Sequence, residues 1–152
     1  MKRIIPLTPR RWLALEIFRR MKHERVEEHP LRQLFWECTL RCNVRCRHCG
    51  SDCKSSPATP DMPLQDFLKV LDSIATHTNP HDVFVIISGG EPTVREDLET
   101  CGKEISRRGY PWGMVCNGLC LTRERLHNLI RSGMRSISIL SLIHISEPTR
   151  RS

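Results

Sequence analysis

The sequence predicts an α/β fold in which parallel strands alternate with helices. Three observations predict it. Helical and strand-like segments alternate from residue 33 to residue 139. The run Asp82–Ser88 is almost continuously apolar and rich in β-branched residues, as a parallel strand buried on both faces would be. Three chemically distinctive stretches, Cys42–Cys49, Gly89–Glu91 and Asn117-Gly118, each follow the C-terminal end of a predicted strand, where such folds carry their chemistry. Right-handed crossovers then leave a β/α barrel or an open parallel sheet.

The elements follow in order. Thr8-Pro9 opens a helix, with a hydroxyl cap before a proline at the first helical position. Trp12, Leu15, Phe18 and Met21 give it an apolar stripe suited to packing, and Glu28-His29-Pro30 ends it. Gln33–Cys38 reads as a short buried strand. The cysteine run and the Ser/Thr/Pro-rich stretch 51–60 form one long loop. Leu64, Phe67, Leu68, Leu71, Ile74 and Ala75 fall at helical spacing. After the strand at 82–88, Val94, Leu98, Cys101 and Ile105 mark a second helix of the repeat, and Gly113–Cys116 a short strand. Thr122 caps the next helix, with Leu121 and Leu126 placed as a hydrophobic staple and Gly133 as its stop. Ser136–Ile139 begins a fourth strand.

With 152 residues there is room for one domain. An apolar content of 39% and a charged content of 27% suit a globular chain. The apolar N-terminal run is broken at Pro6 and Pro9, too early for a signal peptide or a membrane span. Eight cysteines without such a signal place the expected setting in a reducing cytoplasm, where spaced cysteines bind metal or react. The net charge of +7 is spread among acids, as in Arg19–Glu28, which reads as a solvated helix face rather than a nucleic-acid footprint.

Cys42, Cys46 and Cys49 carry the strongest signal. Their C-x3-C-x2-C spacing supplies three thiolates, and a cubane [4Fe–4S] cluster held by three thiolates keeps one iron open to a ligand. A structural zinc site closes with four ligands, and His48, Cys53 or Cys38 could supply the fourth. Gly89 and Gly90 allow a backbone to approach a ligand closely where a Cβ would block it. Glu91 alone would read as an acid favoured at a helix N-terminus. Asn117 would serve a turn or touch a cofactor. Cys101 and Cys38 read as packed thiols.

The C-x3-C-x2-C trio together with Gly89-Gly90-Glu91 resembles the radical S-adenosylmethionine (SAM) superfamily, over residues 32–139. The resemblance implies the N-terminal part of a partial (β/α)6 TIM-like barrel, truncated after about four strands. It implies Cys42, Cys46 and Cys49 as ligands of a [4Fe–4S] cluster, and Gly89, Gly90, Glu91, His48 and Asn117 as residues binding SAM, with the Glu91 region on the methionine ammonium and His48 near the adenine. The implied activity is reductive cleavage of SAM to a 5′-deoxyadenosyl radical that abstracts hydrogen, with electrons from an external donor. Cys116-Asn117-Gly118 resembles the Thr-Asn-Gly of many members, but the cysteine lacks the hydroxyl.

The flanks of both motifs resemble the branch with a C-terminal cysteine-rich SPASM domain, which implies a peptide or protein substrate, while the broken N-terminal apolar run and the mixed charge argue against a membrane or nucleic-acid partner. A non-catalytic zinc module and an RNA-modifying enzyme are the alternatives. The stretch Leu140–Arg150 matches the translation of a transposon-based sequencing adapter in one frame. The expected organisation is therefore a helical extension at 1–31, an incomplete core at 32–139 and a non-native tail at 140–152, in a fragment expected to be inactive.

Overall fold

The computed structural model describes residues 8–46, 49–51, 53 and 58–140. His48 and residues 141–152 lie outside the described residues. The chain divides into two compact units, Met1–Leu31 and Arg32–Ser152.

The first unit carries helix α1 (Pro9–Glu28). Thr8 Oγ1 accepts from Arg11 N at 3.4 Å, the cap that the Thr-Pro pair predicts. The expected packing stripe is not seen: Trp12, Leu15, Phe18 and Met21 are all about half or more exposed. Leu13, Ile17 and Val26 are exposed as well, so apolar side chains lie all round the helix rather than on one face.

The second unit runs β1 (Gln33–Glu37), α2 (Leu64–Ala75), β2 (Phe84–Ser88), α3 (Leu98–Arg107), β3 (Trp112–Cys116), α4 (Arg123–Arg131) and β4 (Met134–Ile139). The four strands form one parallel sheet in the order β1-β2-β3-β4. This is the α/β architecture of successive β/α units that the alternation predicts. Sheet order makes β1 an edge strand. Only its Trp36 is buried and Phe35 is exposed, which corrects the expectation of a buried strand. In β2, Val85 and Ile87 are fully buried while Phe84 and Ile86 are half-buried, so one face carries more of the core than the other.

Phe67, Leu68 and Leu71 of α2, Leu98, Cys101 and Ile105 of α3, and Leu129 of α4 share one buried core with Trp36, Val85, Ile87, Trp112 and Met114 of the strands. The Trp112 indole N–H points at Ser106 Oγ (3.0 Å) and the Ser132 carbonyl (3.2 Å). Thr122 Oγ1 accepts from Arg125 N at 3.1 Å, as the cap predicts, and Leu121 and Leu126 pack against the core. Gly133 turns α4 into β4 at φ +95°, a backbone state that glycine adopts freely. The sequence placed the start of α3 near Val94. Pro92–Val94 instead forms a separate 3-10 turn, and the helix starts at Leu98. Among the described residues, no helix is long and apolar enough to cross a membrane.

Gly102 on α3 lies against the Trp112 ring, and a Cβ there would stand 2.2 Å from the ring carbon Cζ2. Gly102→Ala is therefore expected to lower stability by about 1–3 kcal/mol through overpacking, despite its better helix propensity. Urea denaturation measures this, and an equal or higher midpoint would contradict the packing account.

Candidate active site

The C-terminal ends of β1 and β2 are drawn together by main-chain bonds. Cys38 N donates to Ser88 O at 2.9 Å, Gly90 N to Thr39 O at 2.8 Å, and Glu91 N to Arg41 O at 2.9 Å. A Cβ on Gly89 would lie 2.3 Å from Thr39 O, and one on Gly90 2.2 Å from Arg41 O. The close approach that demands glycine here is thus to the chain's own backbone, where the cysteine loop begins.

A cavity of about 740 Å³ opens at this rim. Cys42, Cys46, Cys49 and Cys53 line it, with Gly89, Gly90, Glu91, Cys116, Asn117 and Leu140. The cysteine loop and the Gly-Gly-Glu and Asn-Gly motifs, separated by up to seventy-odd residues in sequence, therefore share one site. Its size suits a small-molecule cofactor.

Glu91 is 1% exposed, and its carboxylate works inward. Oε1 accepts from Thr93 N at 3.1 Å and from the Thr93 hydroxyl, and Oε2 accepts from Asn117 N at 2.6 Å. Of about four acceptor positions on a carboxylate, one on Oε2 stays available. Glu91 thereby ties the end of β2 to the end of β3. Asn117 is also committed. Its Oδ1 accepts from Leu119 N at 2.9 Å, closing the predicted turn, and its Nδ2 donates to Asn43 Oδ1 at 2.7 Å.

Below the cysteine loop are residues that no motif announced. Asp61 accepts from Thr39 Oγ1 and from Arg41 Nη2, both at 2.6 Å. Burial works against its charge, but these two bonds outweigh it and hold the carboxyl below the usual aspartate range. Arg95, 4% exposed, donates through Nη1 to the carbonyls of Cys38 (2.7 Å) and Met62 (3.0 Å), and pairs with Asp97 at 2.6 Å. Its guanidinium lies 5.1 Å from the centre of the Trp36 ring, which stacks on Phe67 at 3.9 Å. Only the partners' tertiary positions reveal this network, since its hydrogen-bonded partners lie up to 57 residues apart.

The thiols separate by environment. Cys38 and Cys101 are fully buried, and burial pushes each up to about 12, so both stay protonated as packing groups. Burial, then the Glu91 charge, raises Cys116. Burial, then the neighbouring Cys49 and Cys42, raises Cys53. Cys42 and Cys46 are half-buried and Cys49 is exposed, so all three are accessible from the cavity.

The softness of the donors suits an iron–sulfur cluster: Cys42, Cys46 and Cys49 are accessible thiols on one cavity with room beside them, and half-buried Cys53 lines the same cavity. Among the described residues, however, no three His, Cys, Asp or Glu side chains are gathered as a ready metal site. The thiols share the cavity without converging.

A family model described as the Radical SAM superfamily matches residues 36–142. The chain is 31% identical over 112 residues to an AdoMet-dependent heme synthase of Methanosarcina barkeri, covering 71% of this chain and 30% of that protein. It is 33% identical over 105 residues to a tungsten-containing aldehyde ferredoxin oxidoreductase cofactor-modifying protein of Pyrococcus furiosus, covering 68% and 29%. It is 30% identical over 106 residues to a PqqA peptide cyclase of Bradyrhizobium diazoefficiens, covering 68% and 26%. The chain thus spans less than a third of the length of these relatives. The crystal structure of BtrN in an open conformation shares the fold, with a TM-score of 0.63 at 16% identity, over 75% of this chain and 51% of that one.

Substitutions at Glu91 and Asp61 test the supports of the site. Glu91→Ala strands three donors, two of them on buried Thr93, and is expected to cost about 2–4 kcal/mol in urea denaturation. Glu91→Gln keeps one acceptor oxygen but turns an N–H2 toward a donor, and should fall between. Equal stability of all three proteins would contradict the brace. For Asp61, whose folded value is depressed, the stabilisation is present above the ordinary 3.8 and is lost as pH falls through the lower folded value. The stability gap between wild type and Asp61→Asn is therefore expected to shrink below that pH, and a gap constant with pH would contradict it.

Proposed function

Because the chain belongs to the radical SAM superfamily, whose members bind a [4Fe–4S] cluster and SAM, we propose that Cys42, Cys46 and Cys49 hold that cluster at this rim. The observation that carries the reading is the single cavity shared by the three thiols and the Gly-Gly-Glu segment. When bound, the cluster supplies the electron that cleaves SAM to a 5′-deoxyadenosyl radical.

The chain's own residues bind and orient. Gly89 and Gly90 bring the end of β2 against the cysteine loop, so a ligand between them meets both. The remaining acceptor position on Glu91 Oε2 is the place for the methionine ammonium, which we propose this segment receives. Asn117 shapes the β3 side of the cavity while both ends of its amide are held within the protein. His48 is proposed beside the adenine from its place in the motif. Cys38 and Cys101, protonated in the core, take no part.

We assign residues 32–139 to the core and propose that catalysis belongs to a longer polypeptide containing it. The 152-residue chain alone is expected to be inactive and poorly soluble, since the end of β4 leaves Ile139 and Leu140 exposed. A peptide or protein substrate, delivered to a SPASM-type enzyme with an external electron donor in the cytoplasm, is the first reading. It is supported by the similarity to a peptide cyclase. A tetrapyrrole substrate is the second, supported by the relatives named as heme synthases.

The test is anaerobic reconstitution of the longest gene product containing this segment with iron and sulfide, then dithionite and SAM. The expected product is 5′-deoxyadenosine, abolished in the triple Cys42→Ala, Cys46→Ala, Cys49→Ala variant. Zinc bound without sulfide, or cleavage that survives the triple variant, would overturn the proposal. Deuterium transfer into 5′-deoxyadenosine from a labelled peptide or a labelled porphyrin separates the two substrate readings.

A further inference from the structure

Asn43 follows the first cysteine of the trio, yet it is not among the residues that line the cavity. Its side chain is bound at both ends. Leu119 N is a backbone donor, so the Asn117 atom it meets at 2.9 Å must be the oxygen. Asn117 Nδ2 is then the group that donates across to Asn43 at 2.7 Å, and the Asn43 atom it meets must be Oδ1. Asn43 Nδ2 is left to donate to Cys120 Sγ at 3.1 Å. One backbone N–H therefore sets the orientation of both amides.

The Asn117 backbone N–H donates in turn to Glu91 Oε2 at 2.6 Å. A single chain of hydrogen bonds thus runs from the residue beside Cys42, through the loop after β3, to the carboxylate after β2. It crosses 74 residues of sequence at Asn43–Asn117 and 77 at Asn43–Cys120. Without Asn43, the described hydrogen bonds holding the start of the loop are those of Cys38, Thr39 and Arg41, on the β1 side of Cys42.

Resting on the reading that Cys42 is a cluster ligand, we propose that Asn43 is a positioning residue that holds Cys42 in register with the SAM-binding segment. It touches neither cluster nor SAM. It fixes the loop on the far side of Cys42 to the same Asn117 that Glu91 holds, so the Cys42 thiol, which would hold the cluster, and the Gly-Gly-Glu segment keep one relative placement. Cys120 serves as the second acceptor of this bracket.

The test uses the longest gene product, reconstituted anaerobically with iron and sulfide, as wild type, Asn43→Leu and Asn43→Asp. Leucine matches the size and can make neither bond. Aspartate keeps the oxygen facing Asn117 and loses the donor to Cys120. Asn43 is exposed, so leucine empties no core. Asn43→Leu is expected to keep wild-type iron and sulfide content, to raise the SAM dissociation constant about three- to tenfold, and to weaken the SAM-induced change in the electron paramagnetic resonance signal of the reduced cluster. Asn43→Asp should fall between the two. Should the leucine variant fail to accumulate, Asn43→Ala reports the same loss. Leucine or alanine equal to wild type in affinity and signal, or aspartate as impaired as leucine, would overturn the inference alone. Wild-type protein that assembles no cluster removes the underlying reading and the inference with it.

Discussion

Two main-chain hydrogen bonds, Gly90 N to Thr39 O and Glu91 N to Arg41 O, lace the loop that leaves β1 to the loop that leaves β2. The rest of the site depends on them. They continue the β1–β2 pairing past the end of the sheet, at a spacing that any side chain on Gly90 would destroy. The cavity opens beyond this seam, with the cysteines on one of the joined loops and Glu91 on the other. Beneath it, Asp61 holds Thr39 and Arg41, while Arg95 holds the Cys38 carbonyl. The loop that supplies the thiols is thus anchored at its start by polar contacts on several sides, rather than by apolar packing.

Much of the architecture was legible because the signals are local. The Thr122 cap, the Gly133 stop, the spacing of Phe67, Leu68 and Leu71 on α2 and the apolar run of β2 each occupy a few consecutive turns or residues. Strand ends carrying unusual residues could be expected to meet once the strands were parallel. The edge position of β1 was not legible, because Leu34, Phe35 and Trp36 look the same whether one or two neighbouring strands cover them. Nor was the exposure of α1, whose apolar residues at helical spacing match a packing stripe while others fall between them.

The reason for the glycines was only half legible. Sequence says that something comes close. The structure shows the partner as Thr39 and Arg41 of the same chain, with the cavity beyond. The family resemblance aimed Glu91 at a ligand, yet three of its acceptor positions are taken by Thr93 and Asn117. Arg95, Asp61 and Asn43 carried no signal, since a polar side chain whose partner lies tens of residues away looks like any solvated one. The cysteines were partly sorted: Cys38 and Cys101 were expected to pack and do, whereas the cavity position of Cys116 depends on where β3 ends.

The seam between the β1 and β2 loops shapes the cysteine cavity, and glycine substitution probes that dependence. Gly90→Ala and Gly50→Ala should be compared for anaerobic iron and sulfide uptake and for thermal unfolding. A Cβ at Gly90 meets backbone at 2.2 Å, while one at Gly50 meets nothing within 4 Å. Gly90→Ala is expected to unfold at lower temperature and to take up little cluster, whereas Gly50→Ala should behave as wild type. Full uptake and unchanged unfolding in Gly90→Ala would contradict it.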